Sequence, residues 1–218
     1  MARPPKNHQI RINEILDAAE ALFGSHGYHQ TMIDDIVREI GMSHGAFYYY
    51  FSSKEDIIEH LIDRHLSRFE SEVAAIACSA EITPPQKIIL IVKTIFDSVQ
   101  YKKDLLLEFL YDDRYMHLLD KIRSRFNKML TPYLLDIIEE GNRKKYFNAL
   151  YPLESMQFVT AVFHCFMVAI YEKKSANVLL HLFDIGKSLV EKILGLQDGT
   201  LQTSEQITAT IKKITGRR

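Results

Sequence analysis

Cysteine is nearly missing from this chain of 218 residues, which has only Cys78 and Cys165. Two are too few for a disulfide framework and lack the spacing of a metal site, so both are expected as plain core residues. No apolar run reaches the ~18 residues of a membrane span, so no membrane partner is expected. The opening MARPPKNHQ has no apolar segment behind its basic residues, which predicts no secretory signal and a cytoplasmic location. Alternating apolar patterns of strand length, internal repeats and low-complexity tracts are absent. Also missing are a Glu-x-x-His pair for a di-iron bundle, a Gly-rich phosphate loop and a Ser-His nucleophile arrangement. Tyr111-Asp-Asp-Arg114 offers two carboxylates, but Met116 stands where a third would be wanted. The expectation is a protein that is not an enzyme, with no catalytic residue, no metal and no cofactor.

An excess of charge of one sign is missing as well. The net charge is −1, and residues 1–60 hold five Lys/Arg against nine Asp/Glu. That balance alone argues against a polyanion partner. Over a Debye length of ~8 Å, however, only charges near the phosphates count strongly, and Arg3, Lys6, Arg11 and Lys54 can gather at one face.

What the chain does have is helical periodicity from end to end. Apolar residues recur at Ile12, Ile15, Leu16, Ala19, Leu22 and Phe23, one face of a first helix. Thr31, three residues before Asp34, is placed to cap a second helix whose inner face is Ile33, Ile36, Val37 and Ile40. Gly41 can stop that helix in a left-handed conformation, and Ser43 can cap a third of about two turns, ending at Tyr50. Two short helices joined by a glycine-containing turn make a helix-turn-helix. Ser52 and Glu55 form a capping-box pattern that starts a long fourth helix through Ile57, Ile58, Leu61 and Ile62 to about Cys78. Further helices are predicted over 85–99, 103–112, 115–141 with a bend near Pro132, 154–172 and 177–195. The fold class is all-α: a helix-turn-helix domain over 1–52, then a larger helical domain over 53–218.

Tyr48, Tyr49 and Tyr50 follow one another in the third helix. Successive residues point about 100° apart, so the three rings cannot share one core and at least one faces outward. The second helix of such a motif lies in the DNA major groove, where hydroxyls reach phosphates and rings press on thymine methyls. Ser43 and His44 sit at its start, and Gly45 permits close backbone approach. Lys54 lies in the first turn of the next helix, where N–H groups and an ammonium together favour an anion.

Three runs of residues, Arg11-x-x-x-Ile15-Leu16-x-Ala18-Ala19-x-x-Leu22-Phe23, Gly27-Tyr28-x-x-Thr31 and Gly41-Met42-Ser43-x-Gly45-x-Phe47-Tyr48-x-Tyr50-Phe51-x-x-Lys54-Glu55, resemble the N-terminal DNA-binding domain of the TetR family of transcriptional regulators. The resemblance covers about residues 10–56. It implies a homodimer on a double-stranded DNA operator, with a larger helical domain that binds a small-molecule effector and sets the spacing of the two reading helices. Thr31, Tyr48 and Lys54 match positions that hold phosphates. Ser43, His44, Ala46 and Tyr49 align with variable base-reading positions, and Tyr50 is placed to reach the backbone. The implied function is a ligand-responsive repressor of a partly palindromic operator. The alternative is a helical ligand-binding or carrier protein that no longer reads DNA.

Phe109, Tyr111, Tyr115, Met116, Phe126, Met129 and Tyr133 form an aromatic and Met-rich set able to line an effector pocket, with Phe163, His164 and Met167 added from a later helix. Ordinary core packing is the competing reading for each. The last two long helices are apolar over broad arcs and need a second partner, which predicts a dimer interface through Phe158, Val162, Phe166, Leu179, Leu182, Phe183, Leu189 and Val190.

Overall fold

The computed structural model describes residues 8–101, 116–201, 208, 209, 211 and 212. Among these are eight helices and no strand: α1 (His8–His26), α2 (Ile33–Glu39), α3 (His44–Phe47), α4 (Lys54–Cys78), α5 (Pro84–Tyr101), α6 (Met116–Arg143), α7 (Pro152–Tyr171) and α8 (Ala176–Ile193). The expected helix over 103–112 lies outside the described residues. Two compact units divide the chain, and the first ends at Ser67, within α4.

In the first unit the predicted apolar faces turn inward. Ile15, Leu16, Ala19 and Phe23 of α1 are buried, as are Ile36 and Val37 of α2 and Ile57, Ile58, Leu61 and Ile62 of α4. Gly41 takes the left-handed conformation, with φ of 61°, and ends α2 as its position predicts. Charge also joins α4 to α1. Arg64 donates to Asp17 and Glu20 at 2.6 Å each, and His65 Nε2 lies 2.8 Å from Glu20.

Two capping details differ from the sequence patterns. Thr31 does not cap α2. Met32 occupies that position, its N–H donating to the Asp35 carboxylate at 2.9 Å. At α4 the capping pair sits one residue later than Ser52 and Glu55. Ser53 Oγ accepts from the Asp56 N–H at 3.2 Å, and Asp56 accepts from the Ser52 N–H at 2.8 Å. Glu55 is thereby released for a different contact.

The second unit is built on one large apolar cluster. Phe69 and Val73 of α4, Ile88, Ile91 and Ile95 of α5, Leu130, Leu134, Ile137 and Ile138 of α6, and Val159 of α7 all belong to it. A second cluster joins Val92 and Phe96 of α5 to Phe166, Ala169 and Ile170 of α7, Leu179 of α8 and Ile211. After α6 the chain folds back on itself. A Cβ on Gly141 would lie 2.0 Å from the Phe147 ring, so only glycine admits this return. The buried Glu191 of α8 accepts from the N–H groups of Gly199 and Leu201 at 3.1 and 2.8 Å, fixing the segment beyond the helix.

Two expectations are corrected here. Cys78 and Cys165 are exposed rather than core. Phe166, Leu179 and Val190, expected at a dimer interface, are buried within this chain's own clusters. By length and mean hydropathy Pro152–Ile170 of α7 would suffice to cross a membrane, but Glu154, Gln157, Thr160 and His164 interrupt it, so no continuous apolar run is present there. In this fold α7 packs on α6 and α8 and leaves Leu153 and Phe158 exposed.

One ion pair ties the second unit together. Lys87 of α5 is 2% exposed, and its ammonium donates at 2.7 Å both to the Ala77 carbonyl near the end of α4 and to Glu140 of α6. Lys144 also donates to Glu140 at 2.7 Å. These hydrogen bonds, that from Lys144 first, hold the Glu140 carboxyl below its ordinary range. Glu140→Gln is expected to destabilise this unit by about 3 kcal/mol near neutral pH, because it leaves a buried ammonium without its counter-charge. A carboxylate with a lowered folded pKa contributes stability that is complete above its unfolded value of 4.5 and is lost as pH falls through the folded one. Urea melts of the native and variant proteins at pH 7 and pH 3 should show the gap closing in acid.

Candidate nucleic-acid interface

Phe47 and Phe51 lie four residues apart and are 0% and 1% exposed. They belong to one continuous turn of chain, in which the Phe51 N–H donates to the Phe47 carbonyl at 3.1 Å. With both rings inside, the three residues between them have no inward direction left. Tyr48 is 55% exposed, Tyr49 is 72% exposed and Tyr50 is half-buried. None of the three tyrosines is therefore a core residue. The regular helix is shorter than predicted, ending at Phe47 with a turn over Tyr48–Tyr50.

Ser43 caps α3 as expected, its hydroxyl accepting from the Ala46 N–H at 3.3 Å. His44, Gly45 and Ala46 are exposed. A Cβ built on Gly45 meets nothing within 4 Å, so the fold itself does not require glycine there. His44 Nε2 lies 3.5 Å from an Asp34 carboxylate oxygen of α2. A contributor the sequence does not reveal is His8, at the start of α1. Its ring centre lies 5.0 Å from that of Tyr50 and 5.9 Å from that of Tyr49, bracing the tyrosine turn from another helix. The surface thus offers hydroxyls, imidazoles and ring faces around a small-residue gap.

Thr31 and Lys54, expected to hold phosphates, are engaged inside the chain. Thr31 is 2% exposed, and its hydroxyl donates to the Gly27 carbonyl at 2.8 Å. Lys54 Nζ donates to the carbonyls of Tyr28 at 2.7 Å and Thr31 at 3.0 Å, and stands 4.1 Å above the Tyr28 ring. Burial lowers the Lys54 pKa against a smaller opposing pull from Glu55. The Glu55 carboxylate accepts from the Tyr28 hydroxyl at 3.1 Å and is held below its usual range, first by its own backbone N–H. The other fixed cations between residues 8 and 60 are paired too, Arg11 with Glu14 at 2.6 Å and Arg38 with Asp35.

In the second unit, Phe126, Met129, Tyr133, Phe163 and Met167 do come together, all in or against the large apolar cluster, with Phe126 stacked on Phe69 at 5.6 Å. His164 does not join them, because it lies on the exposed side of α7. Met116 opens α6, while Phe109, Tyr111 and Tyr115 lie outside the described residues. Of the expected interface residues, Phe158 is 65% exposed and Leu189 46% exposed, while Val162, Leu182 and Phe183 are half-buried. Leu153, Val178 and Ile185 are exposed apolar residues of the same two helices.

The family model described as "Bacterial regulatory proteins, tetR family" matches residues 15–61. The fatty acid metabolism regulator protein of Bacillus subtilis is 27% identical over 139 residues, which are 62% of this chain and 70% of that protein. A solved TetR transcription regulator from Haloarcula marismortui aligns with a TM-score of 0.67 at 18% identity, over 86% of this chain and 97% of that one. The structure of FadR from Bacillus subtilis in complex with stearoyl-CoA aligns with a TM-score of 0.57 at 20% identity, over 84% and 97%. Identities this low show a shared fold.

Removing the buried Thr31 hydroxyl tests whether it holds the turn. Thr31→Val keeps the shape, loses the bond to the Gly27 carbonyl, and is expected to destabilise the first unit by about 1 kcal/mol. Chemical denaturation of the variant should show this as a lower midpoint with an unchanged slope.

Proposed function

We propose that this chain, whose residues 15–61 match the tetR family model, is a TetR-family repressor that binds a partly palindromic operator as a homodimer. The observation that carries this reading is the inward pairing of Phe47 and Phe51, which leaves Ser43, His44, Gly45, Ala46, Tyr48, Tyr49 and Tyr50 on one outward surface. Tyrosine hydroxyls and imidazoles suit phosphate oxygens and base edges, and the gap at Gly45 and Ala46 lets the backbone come close. The second copy docks against α7 and α8, where Leu153, Phe158, Val178, Ile185 and Leu189 are apolar and exposed. An apolar patch on two adjacent helices suits a helical partner with the same patch.

The effector is proposed to be a long-chain acyl-CoA. Support comes from the apolar and adaptable set Phe126, Met129, Tyr133, Phe163 and Met167, and from the stearoyl-CoA that the FadR structure carries. Release is a population shift. The ligand favours the dimer whose two reading helices no longer match successive major grooves, ~34 Å apart. An effector with equal affinity for both states would leave the operator occupied.

Selection of genomic fragments by the purified protein tests the reading. The native protein is expected to enrich one short inverted repeat, and His44→Ala with Tyr49→Ala is expected to lose that enrichment, since each good contact contributes ~1–3 kcal/mol. Equal enrichment by both proteins would remove the tyrosine turn from the interface. Effector binding with no DNA binding at any salt would support a carrier instead.

A further inference from the structure

Lys54 is the first residue of α4, and Glu55 is the second. Adjacent helix residues point about 100° apart, yet both engage the turn between α1 and α2. The ammonium takes the carbonyls of Tyr28 and Thr31, and the carboxylate takes the Tyr28 hydroxyl. The Tyr28 ring, 2% exposed, lies beneath the ammonium and against Phe23 of α1, with ring centres 5.2 Å apart. Thr31 is held at both ends of its peptide. Its carbonyl accepts from Lys54, while its N–H and hydroxyl donate back to the Gly27 carbonyl. Met32 follows at once as the residue that begins α2, and α2 packs on α3.

We propose that Lys54 is a positioning residue that tethers the start of α2 to the start of α4, so that the DNA-reading α3 follows α4, and that it does not hold a phosphate. The proposal rests on the DNA-reading function argued above. Its ground is the two carbonyls that converge on one ammonium. Turning that ammonium toward a phosphate would break both hydrogen bonds, leave the Tyr28 carbonyl only the Thr31 N–H at 3.3 Å among the described residues, and open the contact over Tyr28. An ammonium is a compact donor able to serve two acceptors that converge at an angle. Any shift of α4 along its axis would be passed through two hydrogen bonds and a cation–ring contact to residues 28–31, and from there to α2.

Three readings separate a tether from a phosphate contact, all on the full-length protein. The first is the salt dependence of binding to a labelled duplex carrying the enriched inverted repeat. Each phosphate contact contributes about 0.9 to the slope of log affinity against log salt. Lys54→Met is expected to weaken binding about tenfold or more with the slope unchanged. A slope shallower by about 0.9, with affinity recovered at low salt, would overturn the proposal. The second is hydrogen exchange without DNA. Amides of residues 31–37 are expected to exchange faster in the variant while the buried face of α1 is unchanged, and equal exchange at 31–37 counts against the tether. The third needs no variant, so it stands if Lys54→Met fails to fold. The Lys54 ammonium resonance of the native protein is expected to stay in place on adding duplex DNA, and a shift on binding would show a phosphate contact. If the native protein binds no duplex, it is the DNA-reading function that fails, while hydrogen exchange still decides on the tether.

Discussion

A helical turn that closes with Phe47 and Phe51 both inside the core has no freedom left over the residues between them. The outward direction of Tyr48, Tyr49 and Tyr50 follows from that burial and from nothing in the tyrosines themselves. α2 packs on α1 and on α3, and the Phe51 ring meets that of His60 of α4 at 5.1 Å, so the presented surface is only as fixed as the packing behind it. Burying a side chain as large as phenylalanine contributes roughly 1.5–3 kcal/mol, and two such rings hold the turn together.

Several fixed cations of the same unit, among the described residues, are turned to internal work. Arg11, Arg38 and Lys54 answer acids or carbonyls of their own unit, and Arg64 holds α4 against Asp17 and Glu20 of α1. A unit with more acid than base can still present a surface suited to nucleic acid, because neutral donors, imidazoles and rings supply the short-range contacts. What it gives up is long-range attraction, which depends on summed charge. Recognition at such a surface depends more on fit than on capture.

Much of this is legible in the sequence, and what is not has physical causes. Helix placement followed from apolar residues three and four apart, a signal that survives in every described helix because each buries one face. Caps were less legible. The run Ser52-Ser53-Lys54-Glu55-Asp56 contains two overlapping capping patterns, and only the demand of Tyr28 for Glu55 selects Ser53 with Asp56. A threonine before an acid can cap a helix or bond back to a carbonyl, and for Thr31 the buried turn decides. The Lys54 contacts join residues more than twenty positions apart, beyond any local pattern. On α7 and α8 the apolar arcs are so broad that periodicity cannot say which side faces the chain's own core. Hence Phe166, Leu179 and Val190 turned inward, while Ile185 and Val178 stood outside.

The empty space above Gly45 bears on how such a protein changes over generations. His44, Gly45, Ala46 and Tyr49 stand at positions the interior does not police, and exposed substitutions of that kind usually change stability by under about 0.5 kcal/mol. Proteins sit only a little above the stability at which they fail, so most routes to a new function are closed by unfolding before they are tried. Here the residues facing outward can be rewritten almost independently of those that fold the unit. On the proposed function, preference for one sequence over another is therefore free to drift while the scaffold stays where selection left it.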